Sequence, residues 1–258
     1  MWRAERHQRI RALLDTFDQV SVDQLVTELA VSRETVRRDV KELEAAGALR
    51  RVHGGIASMQ DSPEAPYRKR ALINRREKQE IAALCRDRIS AGQTLFIDAG
   101  STTRLLAQAL AGLSGLQVFT NSLDVAAHLG TAASRRRQNR VILLGGDYAD
   151  QPPATMGAMV LSAISRISAD VAICSPFGLT AGEGATSYVI DEAEIARAMF
   201  ARATRRIVLA DHSKLGVRGR VSFAPLAEID LLITDARARR LPHHAALAAE
   251  MGQRLICG

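Results

Sequence analysis

Three observations predict a two-part α/β protein: a winged helix-turn-helix followed by a mainly parallel α/β domain. Two capped amphipathic segments and a glycine turn fill the first sixty residues. Beyond residue 90, short apolar strands alternate with helical stretches. Small polar residues recur just past the ends of those strands. At 258 residues, 47% of them apolar, the chain can bury two cores, which excludes disorder as its main state.

Ile10, Leu13, Leu14 and Phe17 recur at helical spacing, predicting a first helix over 5–16. Ser21 and Gln24 have the spacing of a capping box, opening a helix that buries Val22, Leu25, Val26 and Leu29. Ala30-Val31 makes a tight turn, and Ser32 caps a third helix that Gly47 stops. Val36, Val40 and Leu43 share its buried face, leaving Arg33, Arg37, Arg38 and Lys41 mainly outward. Leu49 to Val52 then read as a short strand, and His53-Gly54-Gly55 as the turn of a wing. Two short helices around a tight turn, the second one basic, fit a major groove. Ser32, Arg33, Thr35, Arg37, Arg38 and Lys41, with Arg50, Arg51 and His53 of the wing, are the candidate DNA contacts. Any single arginine is more simply a solvated side chain; the ordered set of caps, turn, basic face and wing makes the case.

Charge alone does not locate that surface. The net charge is +7, but residues 1–60 hold ten Lys/Arg against nine Asp/Glu, 61–80 six against four, and the remainder nineteen against fifteen. The polar, proline-bearing stretch 58–66 reads as a linker, and the basic stretch 67–76 as the solvated start of a helix over 77–90. Domain limits of 1–57, 58–75 (linker) and 76–258 follow.

Strands are predicted at 94–98, 117–120, 141–144, 171–174, 207–210 and 231–234. In a parallel sheet, ligands sit beyond the carboxyl ends of strands. There this sequence places Asp98-Ala-Gly100-Ser101-Thr102-Thr103 at a helix start suited to an anion, Thr120-Asn121-Ser122, Gly145-Gly146, and Asp211-His-Ser-Lys214. One such segment alone is an N-cap or a turn. Several at equivalent ends predict a pocket. His212 reads as a satisfied turn histidine. Cys85, Cys174 and Cys257 lack metal spacing and read as reduced thiols. The charged N-terminus lacks a signal-peptide pattern and no run reaches membrane-span length, so a cytoplasmic protein is expected.

The stretches 20–32 and 35–39, Leu43, Gly47 and Arg51-Val-His-Gly-Gly55 resemble the DeoR-type helix-turn-helix. Ile97 to Thr103, 120–122, Gly145-Gly146, Glu192-Ala-Glu194 with Arg197-Ala-Met199, and 211–214 resemble the DeoR-type sensor domain. The glycerol-3-phosphate-type repressors are the branch it most resembles. The resemblance implies a Rossmann-like sensor akin to sugar-phosphate isomerases. It further implies an operator-binding repressor of sugar or polyol catabolism, released by a phosphorylated sugar or polyol, without a cofactor. Asp98, Gly100, Ser101, Thr102, Thr103, Thr120, Asn121, Ser122, Gly145, Gly146, Glu192, Asp211 and Lys214 are then the effector candidates. Two positions depart from the family pattern: Ser175 stands where a glycine is common, and Ala196 where a lysine is common. A homo-oligomer, dimer or tetramer, is expected because one helix-turn-helix contacts too little DNA. The alternatives are an isomerase-like enzyme using Asp98, Glu192, Asp211 and Lys214 as acid–base groups, and an oligomerising module without ligand.

Overall fold

The computed structural model describes residues 2–14, 19–52, 54–57 and 64–258, which fall into two compact units, Met1–Ile73 and Asn74–Gly258. The first unit runs α1 (Arg3–Leu14), β1 (Gln19–Ser21), α2 (Val22–Leu29), α3 (Arg33–Ala45), β2 (Arg50–Val52), β3 (Gly55–Ala57) and α4 (Tyr67–Arg70). Its helices form because their apolar residues align. Ile10, Leu14, Leu25, Leu29, Val36, Val40 and Leu43 close on one core with Val20, Leu49 and Ile56. Ser21 and Ser32 each accept a hydrogen bond from the backbone N–H three residues on, as expected. The turn between α2 and α3 is tight because Ala30 adopts the left-handed region, φ 51°. Past α3, Gly47 at φ +67° lets Ala48 N–H donate back to the Leu43 carbonyl at 2.9 Å, and the helix stops. The predicted end of α1 and the Phe17 contact lie outside the described residues, as does His53.

The wing has two strands, β1 and β3, beyond the one predicted over 49–52. β3 pairs antiparallel with β2 on one side and β1 on the other. Three residues are too few for alternation to register, so β1 exists only by its pairing. In the basic stretch 67–76, Arg75 and Arg76 are exposed at the start of the next helix as expected, but the first residues differ. Tyr67 is buried, and Arg70 donates to Ala65 O and Glu64 Oε1 while lying over the Tyr67 ring, so this is a pinned helical turn. Asn74, at φ 51°, interrupts the helical path before the next helix.

The second unit runs α5 (Arg75–Arg86), β4 (Thr94–Ile97), α6 (Ser101–Leu110), β5 (Gln117–Thr120), α7 (Leu123–Leu129), α8 (Ala132–Arg136) and β6 (Arg140–Leu143). The hairpin β7 (Asp147–Asp150) and β8 (Pro153–Met156) follows, then α9 (Ala158–Ser165), β9 (Ala169–Cys174), β10 (Gly178–Thr180), β11 (Gly184–Ser187) and α10 (Ile190–Ala201). The chain closes with β12 (Ala203–Leu209), β13 (Val221–Ala224), β14 (Leu231–Thr234), α11 (Pro242–Met251) and β15 (Leu255–Cys257). All six predicted strands form, five of them within a residue or two of their expected limits, while β12 starts four residues before the predicted 207–210.

Seven strands make one parallel sheet in the order β15-β14-β12-β9-β4-β5-β6. The chain begins at β4, builds outward to β6, then returns to β9 and builds the other way. Such a doubly wound sheet is buried on both faces, which is why its strands read as unbroken apolar runs. Leu95 and Ile97 of β4 pack with α5, α6 and α7; Phe96 between them packs with α9, α10 and α11 on the opposite face. A small antiparallel sheet, β10-β11-β13, and the β7–β8 hairpin complete the unit.

Candidate functional site

Where strand order reverses, adjacent connections leave in opposite directions and a crevice opens between them. In this sheet the reversal lies between β4 and β9. Asp98 N–H still donates to Ile173 O (3.2 Å), and its carboxylate Oδ2 accepts from Ser175 N–H (2.8 Å), tying the two strand ends together. The crevice encloses about 350 Å³, counting its open mouth. Asp98, Ala99, Asn121, Ser175 and Pro176 line it from the strand ends, Ser187, Glu192, Ile195 and Ala196 from β11 and α10, and Met156 and Phe223 from the two small sheets.

Three predicted effector residues therefore meet in one cleft: Asp98, Asn121 and Glu192. The two departures from the family pattern, Ser175 and Ala196, line it as well. Glu192 is held by the Ser187 hydroxyl, which donates to Oε2 at 2.9 Å. Asn121 Nδ2 donates to Thr155 O at 3.1 Å. Asp98 Oδ1 and Asn121 Oδ1 are buried and have no hydrogen-bond partner among the described residues. Burial pushes the Asp98 carboxyl up to about 7 against the Ser175 N–H, with Glu192 raising it further and Lys214 opposing.

The other predicted residues stand behind this lining. Thr103 Oγ1 donates to Asp98 O and Gly100 O, fixing the turn into α6. Thr120 Oγ1 donates to Ile97 O and accepts from Ser122 N–H, whose own hydroxyl caps α7. Ser101, Thr102 and Gly100 are buried at the α6 start. Gly146 is a packing glycine, since a Cβ there would lie 2.4 Å from Met156 O; Gly145 has no atom that close.

Asp211 anchors a second buried cluster. It accepts from Asn74 Nδ2 (3.0 Å) and from both the N–H and the hydroxyl of Ser213, while Lys78 Nζ lies 4.0 Å away and donates to Ser101 Oγ at 3.1 Å. Burial works to raise Asp211, yet Lys214, Ser213, Lys78 and Asn74 together hold it below the usual carboxylate range. Lys214 Nζ donates to the Pro176 carbonyl at the cleft lining. Lys78 is a site residue beyond the expected set, yet its position carries a signal in the sequence, since it shares a stripe with Ile81, Ala82 and Cys85 of α5. A lysine there must be buried, and a buried lysine needs partners. His212 is indeed satisfied, with its N–H and Nδ1 both on Asp235. All three thiols are free; Cys85 and Cys174 are buried.

In the first unit, α3 presents Arg33, Arg37, Arg38 and Lys41 to solvent. Arg33 pairs with Asp23, Arg37 lies 4.0 Å from Glu34, and Arg51 of the wing lies 3.0 Å from Glu44. Such exposed pairs are worth at most about 1 kcal/mol and yield readily to a phosphate. Arg38 and Lys41 have no ion-pair partner among the described residues. Arg50 is exposed on β2, and the Ser32 and Thr35 hydroxyls hydrogen-bond each other at the α3 start. Beneath this face Asp39 is fully buried, accepting both guanidinium branches of Arg6 at 2.6 and 2.9 Å and facing His7.

A winged helix-turn-helix followed by a doubly wound unit with a cleft at its switch point defines a DNA-binding transcription regulator with an α/β sensor. Residues 6–62 match the DeoR-like helix-turn-helix domain and residues 73–236 the DeoR C terminal sensor domain. The glycerol-3-phosphate regulon repressor of Escherichia coli is 31% identical over 236 residues, covering 92% of both chains. The regulator GolR of Listeria innocua is 33% identical over 241 residues, covering 93% of both. The chain belongs to the DeoR family of transcription regulators. Among solved structures, ribose 5-phosphate isomerase A from Methanocaldococcus jannaschii covers 55% of this chain and 54% of its own, with 13% identity and a TM-score of 0.39, too slight a likeness to argue from. No helix among the described residues is long and apolar enough to cross a membrane.

Proposed function

We propose that the protein represses a sugar or polyol catabolic operon and is released from it by a phosphorylated sugar or polyol bound at the switch-point cleft. The cleft carries this reading: three candidate effector residues, Asp98, Asn121 and Glu192, converge there, and Asp98 stands two residues before the N-cap of α6, where a helix N-terminus favours an anion. On the DNA side, Arg38 and Lys41 of α3, with Arg33, Arg37 and the wing arginines, are the contacts. The names of the relatives support repression, and glycerol 3-phosphate is the first ligand to test.

The cleft is read as a sensor without turnover. Both of its carboxylates are held as acceptors, Asp98 by a backbone N–H and Glu192 by a hydroxyl, as suits recognition. The experiment is binding of the full chain to the DNA upstream of its own gene, followed by fluorescence anisotropy, with sugar phosphates added. Release by a sugar phosphate recovered unchanged is expected. Arg38→Ala should weaken DNA binding by about 1–3 kcal/mol. Lys214→Ala should weaken release about tenfold, one hydrogen bond's worth, while leaving DNA binding intact. Isomerised product, or DNA binding indifferent to every sugar phosphate, would overturn the reading.

A further inference from the structure

The cleft holds a feature that a phosphate does not explain. Two of its polar linings, Asp98 and Asn121, are more than nine-tenths buried, and each keeps one oxygen without a hydrogen-bond partner among the described residues. Each side chain's other polar atom is committed: Asp98 Oδ2 to Ser175 N–H, Asn121 Nδ2 to Thr155 O. The open positions are therefore acceptors, and an anionic group would be repelled by them. The charged side chains lining the cleft are Asp98 and Glu192, both acidic. A buried acceptor left unpaired is costly, so the ligand must bring donors.

Geometry narrows the class. Asp98 and Asn121 follow Ile97 and Thr120, which pair directly across neighbouring parallel strands. Their α-carbons thus stand about one strand spacing apart, about 4.8 Å. A pair of hydroxyls on adjacent carbons, each donating to one oxygen, bridges that gap.

We propose that Asp98 and Asn121 form a diol-recognition element, which selects effectors carrying neighbouring free hydroxyls and rejects their deoxy counterparts. This rests on the effector reading above and names the end of the ligand opposite its phosphate. Asp98 serves best when ionised, because a charged acceptor makes the stronger bond. The groups that face its carboxyl are Glu192 from α10, Lys214 from the 212–214 turn, and the Cys174 thiol from β9, itself pushed up by burial. With the Asp98 carboxyl near 7, diol affinity rises as pH climbs through neutrality.

The test is calorimetry on the full chain with matched probes: glycerol 3-phosphate against propane-1,3-diol phosphate, glucose 6-phosphate against its 2-deoxy form, and myo-inositol as a diol without phosphate. The diol member of a pair that binds should do so about ten- to a hundredfold more tightly. Its affinity should rise about fivefold from pH 6 to pH 8, a gain that Asp98→Asn removes while keeping the Ser175 contact. Equal affinity within pairs, or the same pH response in Asp98→Asn, would overturn the diol element and leave the phosphate effector standing. Inositol binding as tightly as any phosphate would support the element and remove the phosphate. Binding by none of the probes would overturn both.

Discussion

At the scale of the residue, Asp98 is where burial and charge oppose each other. Its carboxyl titrates near 7 when folded against an ordinary 3.8, because burial outweighs its one backbone hydrogen bond. A folded value raised in this way favours the folded state at low pH; that contribution is lost as pH rises from about 4 to about 7. Asp98→Asn removes the titration and keeps an oxygen for Ser175. The variant should melt several degrees above the parent at pH 8, a gain of a few kcal/mol at most, and by less at pH 5. Thermal melts at the two pH values decide it, and a gain independent of pH would show that the carboxyl is not held up. Asp211 is the counter-case. It is as deeply buried, but its partners hold it below the usual carboxylate range, so it anchors a network.

At the scale of the element, α3 depends on a residue sealed beneath its basic face. Asp39 is fully buried and takes Arg6 of α1 in a two-pronged pair, which fixes the recognition helix against its neighbour. Burial opposes the charge, but Arg6 and His7 together hold Asp39 below its usual range, so its contribution is lost as pH falls. Asp39→Ala would leave the Arg6 guanidinium buried without its counter-charge, at about 3–5 kcal/mol. In calorimetry the Met1–Ile73 transition should fall in temperature while that of Asn74–Gly258 holds, and DNA binding should be lost at temperatures where the first unit has melted. A shared shift of both transitions would contradict this.

At the scale of the whole molecule, two separate cores imply separable functions. One core is built from α1–α3 and the wing, the other from the two faces of the seven-stranded sheet. A fragment spanning Asn74–Gly258 should fold alone, bind the same sugar phosphate with the affinity of the full chain, and fail to retain DNA. Expressing it and repeating the calorimetry tests this. A fragment that aggregates, or binds more than tenfold more weakly, would mean the sensor needs the first unit.

Local chemistry determined much of this protein. Serine caps, the Gly47 stop and apolar spacing specify α2 and α3, because each depends on residues within one helical turn. The six sensor strands were legible for a related reason: a sheet covered on both faces demands continuous apolar runs. Local signals also placed small polar residues at strand ends, but could not divide them by role. Strand order alone decided that Asp98, Asn121 and Glu192 share a cleft, while Thr103, Thr120 and Ser122 brace the turns behind it. The burial of Asp39 and Lys78, the wing's third strand at β1 and the packing role of Gly146 were likewise tertiary outcomes. Each depends on a partner ten or more residues away, and a sequence read along its length carries periodicity and caps but no distances between strands.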